Sequence, residues 1–67
     1  MRAIKIDLLT ARKTKGMTQM DLALAANVRQ STISQIETGQ RNPSVRVIAQ
    51  LADALGMTID ELIKKEV

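Results

Sequence analysis

The chain has 67 residues and a net charge of +3, with no Cys, no His and no aromatic side chain. This length suits one small domain. The missing Cys and His exclude disulfides, the usual zinc ligands and the usual general base. No apolar run approaches the roughly 20 residues of a membrane span, and the opening "MRAIKIDLL" is too short and too mixed for a signal peptide. A cytoplasmic protein with no membrane partner is expected, and its core must be built from Leu, Ile, Val, Met and Ala.

In chain order, the apolar spacing is helical between turn signals at Gly16, Asn27, residues 39–43 and Gly56. A first helix is expected over about residues 4–15, with Ile4, Leu8 and Ala11 on one side and Lys13 and Lys15 in the last turn, favourable for the helix dipole. "MRAIKI" alternates, so a short N-terminal strand is the alternative there. "TQMD" places an acceptor and then an acid at capping-box spacing, which starts a second helix at Thr18 that runs to about Ala26. Asn27 follows where a left-handed residue is needed, and Asn tolerates that conformation. A third helix covers about residues 30–38. A fourth covers about residues 45–55, capped by Ser44 or by Asn42 with Pro43, with Val45, Ile48, Leu51, Ala52 and Leu55 as its stripe. "TIDE" opens a fifth helix that carries Ile59, Leu62 and Ile63. The expected fold is all-α, a five-helix bundle forming one domain over residues 1–67.

Helices two and three are joined by so few residues that they must cross steeply, as in a helix-turn-helix. Leu22, Ala26, Val28, Ile33 and Ile36 share one interior side, and Ala23 is small where the two helices approach. From about residue 8 to residue 63 the chain resembles the phage repressor and Cro family, also called XRE. The resemblance is carried by "GMTQMDLALAANVRQSTISQIETGQRNPS" and "LADALGMTIDELI". It departs from the family pattern at Asn27, where Gly is common, and in the loop "QRNP". The resemblance implies a lambda-repressor-like bundle and a sequence-specific transcriptional regulator of duplex DNA, most simply a repressor. No enzymatic activity, cofactor, metal or small-molecule ligand is expected.

At about 100° per residue, Gln30, Ser34, Thr38, Ser31 and Gln35 form one polar arc, with Ile33 and Ile36 opposite. That arc carries no charge. Amides and hydroxyls both donate and accept hydrogen bonds, which suits the mixed edges of bases in the major groove, and Gln can pair in bidentate fashion with adenine. The resemblance makes the start of this helix the recognition surface, so Gln30, Ser31, Thr32 and Gln35 are the candidate base contacts. Thr18 and Gln19 lie at a helix N-terminus, which favours an anion. With Arg29, Arg41 and Asn42 they are the candidate phosphate contacts. Charge runs the same way. Residues 1–46 hold eight basic side chains against three acidic, and residues 47–67 hold two against four, so the front of the chain suits a polyanion.

Glu37 falls at the edge of the buried side, and the resemblance pairs it with Arg12 as a structural ion pair. Family members usually dimerise on two half-sites about one helical turn apart. With no further domain expected past residue 67, Ile59, Ile63 and Val67 are the candidate dimer contacts of a homodimer. Two rivals stand beside this reading: an antitoxin or bridging module that binds a partner protein, and an RNA-binding protein.

Overall fold

The structure, a computed structural model, describes residues 6–63. Five helices follow in order: α1 (Leu8–Thr14), α2 (Gln19–Ala26), α3 (Gln30–Glu37), α4 (Val45–Leu55) and α5 (Ile59–Leu62). The described residues contain no strand. Ile6 and Ile63 make a single antiparallel bridge, and the Asp7 amide donates to the Leu62 carbonyl at 3.3 Å. The expected all-α, five-helix architecture is therefore the one observed.

Side chains start four of these helices by local hydrogen bonding. Thr18 and Thr58 accept from the amides of Asp21 and Glu61, whose carboxylates accept in return from the Thr18 and Thr58 amides. Ser44 Oγ accepts from the Val47 amide at 3.2 Å, so Ser44 is the cap of α4. Each of the first four helices then ends on a left-handed residue: Gly16, Asn27, Gly39 and Gly56. At each end the following amide reaches back five residues, as Val28 does to Ala23 at 3.0 Å. After α1, α2 and α4 that following residue is Met17, Val28 or Met57, and all three pack on the core. After α3 it is Gln40, exposed and polar, so the chain leaves the core there.

The core is wholly aliphatic. Leu8, Leu22, Ile33, Ile48, Leu51 and Leu62 are its largest fully buried side chains, and Ala11, Ala23, Ala26 and Ala52 let the helices approach. Helix α2 packs on both α3 and α4, α1 on α3, and α5 on α4. Together they leave one side of α3 uncovered.

Three local expectations are corrected. Helix α1 begins at Leu8, because the Asp7 carboxylate caps it by accepting from the Thr10 amide. Ile6, the last residue of the alternating stretch, pairs with Ile63, while residues 1–5, with Ile4, lie outside the described residues. Val45 is 66% exposed and not part of the core; it sits at the first position of α4, beyond the reach of the other helices, and Val47 packs on the core in its place. Ile63 is extended and closes α5 without continuing it.

Asn27 holds φ 57° and ψ 45°. A left-handed conformation disfavours most L-residues by about 1–2 kcal/mol, and Asn and Gly escape most of that. Asn27→Ala is expected to lower the thermal midpoint by roughly 4–8 °C, with Asn27→Gly at or slightly above the parent. Equal midpoints for the two variants would contradict this account of the turn.

Candidate nucleic-acid interface

One carboxylate ties the end of α3 to the two helices before it. Glu37, its last residue, accepts from Arg12 Nε on Oε2 at 2.7 Å and from Arg12 Nη2 on Oε1 at 3.2 Å. Gln19 Nε2, from the first turn of α2, donates to Oε1 at 2.9 Å. Arg12 Nη1 donates to the Met17 carbonyl at 2.9 Å, at the turn between α1 and α2. The side chains of Arg12 and Glu37 are only 12% and 6% exposed, and no buried side-chain polar atom among the described residues lacks a partner. Three helices thus meet at one bidentate ion pair, a geometry in which paired charges are stronger than neutral hydrogen bonds.

Burial pushes the Glu37 carboxyl up. The hydrogen bonds from Arg12 and Gln19, with the charges of Arg12 and Lys13, outweigh it and hold the carboxyl below its ordinary value of 4.5. The bond to Glu37 correspondingly raises Arg12. Asp21 and Glu61 are also lowered, first by the amides of Thr18 and Thr58 that they cap.

With α3 held this way, Ile33 and Ile36 are buried and Gln30 and Ser31 are exposed. Thr32, Ser34 and Gln35 are half-buried at the margins of that face. Arg29, Arg41 and Asn42 are exposed at the two ends of the helix, and Thr18 is exposed at the start of α2. Gln19 is half-buried, since its amide is shared with Glu37. Arg41 lies against α3: its Nε donates to Gln35 Oε1 at 3.1 Å. The candidate base and phosphate residues therefore gather around α3 and the start of α2. Ile59 is 37% exposed on α5, away from that group in the chain, and Ile63 is half-buried at its bridge to Ile6. Val67 lies outside the described residues.

Sequence reasoning missed one feature of α3. Helices α1, α2, α4 and α5 each have an accepting side chain at the N-cap, whereas α3 has Arg29 there and no side-chain cap. A guanidinium only donates, so the first amides of α3 have no side-chain partner at the cap. The signal was legible: Arg stands where Ser, Thr, Asp or Asn normally precedes a helix. The links from Gln19 to Glu37 and from Arg41 to Gln35 carry no sequence signature, because each depends on how two segments pack.

Residues 8–62 match the helix-turn-helix family. The chain is 42% identical over 55 residues to YazB of Bacillus subtilis, an HTH-type transcriptional regulator named as uncharacterized, covering 82% of this chain and 80% of that one. It is 34% identical over 55 residues to the immunity repressor protein of Bacillus phage phi105, covering 82% of this chain and 38% of the repressor. Among solved structures, it is similar to the restriction-modification controller protein C.AhdI of Aeromonas hydrophila, with a TM-score of 0.80 and 36% identity over 82% of this chain and 83% of that one. The chain belongs to the XRE-type helix-turn-helix family, whose members are DNA-binding transcriptional regulators and not enzymes. No helix among the described residues is long and apolar enough to cross a membrane.

Replacing the Glu37 carboxylate by an amide removes its charge-assisted bonds while keeping its shape. Glu37→Gln is expected to lower stability by about 2 kcal/mol, which is roughly 10 °C in a domain of this size. The lowered carboxyl contributes stability that is fully present above pH 4.5 and is lost as pH falls through its folded value. Glu37→Gln should therefore flatten the acid limb of the stability curve, leaving the part that Asp21 and Glu61 supply. Thermal melts from pH 3 to pH 7 check both; parallel curves for parent and variant would overturn the assignment.

Proposed function

We propose that this transcriptional regulator is sequence-specific, lays α3 in the major groove of duplex DNA, and binds as a homodimer to an operator of two half-sites. The observation that carries this reading is the uncovered face of α3, where Gln30, Ser31 and Gln35 offer amides and a hydroxyl without charge. Such groups suit the donor and acceptor patterns of base edges, while an Asp or Glu on that face would be repelled by phosphate. Thr32, half-buried beside them, completes the candidate base contacts. The uncapped start of α3 at Arg29 supports the same face, since free amides and a positive dipole end favour an approaching phosphate.

Phosphate contacts position the protein without carrying sequence information. Thr18, Gln19, Arg29, Arg41 and Asn42 are proposed for that part. Gln19 has one amide proton committed to Glu37 and a second for a phosphate oxygen, so its contact would be coupled to the ion pair. Ile59, an apolar side chain exposed on α5, supports a two-fold contact there, with Ile63 beside it and Val67 as the remaining candidate. Half-sites would then lie about 34–36 Å apart. Repression by occupying an operator is the simplest action for such a domain, and the similarity to a phage immunity repressor favours it.

Selection of preferred sites from random duplex DNA tests the reading. Gln30→Ala is expected to relax preference at one base pair per half-site by about 1–3 kcal/mol. Arg29→Ala should weaken all sites about equally and flatten the salt dependence by about one phosphate contact. If the parent enriches no sequence, or if both variants act alike on every sequence, the proposed division of roles fails. Ile59→Asp should leave the thermal midpoint unchanged and convert cooperative two-half-site binding into independent half-site binding.

A further inference from the structure

We infer that Arg41 is a positioning residue for Gln35, fixing its side-chain amide with the N–H2 outward so that Gln35 selects an acceptor edge, guanine or thymine, over adenine. The inference rests on the reading of α3 as a base-facing helix and deepens it at one residue.

The link begins in the backbone. The Gln35 carbonyl accepts from the Gln40 amide at 2.8 Å and from the Arg41 amide at 3.2 Å, and the turn is completed by Gly39 at φ 82°. The chain therefore folds back after α3 and returns residue 41 to the level of residue 35. There the Arg41 Nε donates to Gln35 Oε1 at 3.1 Å.

Chemistry then settles which end of the amide points where. A guanidinium has only donors, so the oxygen of Gln35 must face Arg41. The two Nε2 protons have no side-chain or backbone acceptor among the described residues. Pairing with adenine needs both ends of the amide at once, Oε1 accepting from N6 and Nε2 donating to N7. With Arg41 on Oε1, the second lone pair sits beside a cation and is a weaker acceptor. The adenine amino group would also approach with its positive end toward the guanidinium. Guanine O6 and N7 and thymine O4 are acceptors, and they suit both the Nε2 protons and the remaining donors of Arg41. In water such an exposed bond is worth little. Inside a groove, where water is excluded, its electrostatic strength rises.

The same molecule thereby combines two roles at residue 41. Its charge can serve phosphate, and its Nε acts through Gln35 on base choice. Arg41→Lys separates them, because Lys keeps the charge but carries a methylene where Arg has the Nε–H that bonds Gln35.

The test is site selection from random duplex DNA with the full chain as parent, Gln35→Ala and Arg41→Lys, with the salt dependence of binding measured for each. The parent is expected to select guanine or thymine at the base pair whose preference Gln35→Ala abolishes. Arg41→Lys is expected to keep the salt slope and the thermal midpoint of the parent and to raise adenine at that one base pair by about fivefold, the equivalent of one hydrogen bond. Parental selection of adenine at that base pair would overturn the inference, as would an unchanged preference in Arg41→Lys or a Gln35→Ala variant that alters no position. A parent that enriches no sequence at all would overturn the reading of α3 itself, and the inference with it.

Discussion

Glu37 stands where three helices are tied together. Its two oxygens receive Arg12 from α1 and Gln19 from α2, while the residue itself ends α3. Helices α2 and α3 are each eight residues long and share a short turn at Asn27. The short turn makes them cross steeply, and their shared core packs the inside of that corner. The bond from the first residue of α2 to the last residue of α3 closes its open side. Arg12 then locks the corner onto α1, and through the Met17 carbonyl onto the turn that leads into α2. A greasy contact could stabilise as much. It would not specify the orientation as narrowly, because two forked planar groups at 2.7 to 3.2 Å admit few geometries.

Around that tie the fold is economical. An aliphatic core with four buried alanines allows close helix approach, and it needs no ring to fill gaps. The helix ends do the routing: a left-handed residue followed by an apolar one returns the chain to the core three times, at Met17, Val28 and Met57. The fourth such end, after α3, is followed by Gln40 and Arg41, and the chain stays on the surface beside the candidate interface. One change of residue type after an otherwise repeated turn separates a loop that packs on the core from one that stays exposed.

Much of this was legible in the residues. The Thr18–Asp21 and Thr58–Glu61 capping boxes, the left-handed Asn27 and the buried pair Ile33 and Ile36 follow from local rules, because they depend on neighbours three to five positions away. The approach of Arg12 to Glu37 came from family resemblance, and no wheel or spacing could have given its distance. What local rules could not reach was depth and long-range pairing. Val45 has the phase of the α4 stripe but stands at the tip of the helix, and phase gives direction without saying whether another helix extends that far. The start of α1 moved from the expected residue 4 to Leu8 because Asp7 caps it and Ile6 is taken by Ile63, at the far end of the chain. The bond between Gln35 and Arg41 depends on the fold-back at Gly39, whose loop geometry residue identity does not dictate.

The bare start of α3 has an energetic corollary for the free protein. A helix whose first amides are served by no side chain is held less firmly at that end, and in this chain that end carries the exposed Gln30 and Ser31. A phosphate arriving there would complete the helix as a Ser or Asp completes the others. Ligand occupancy and local folding would then be one equilibrium seen from two sides, and the unbound regulator would be the form most open to proteolytic nicking near residue 30. Placing an acceptor at position 29 would make a sturdier protein in isolation and a poorer partner for a polyanion.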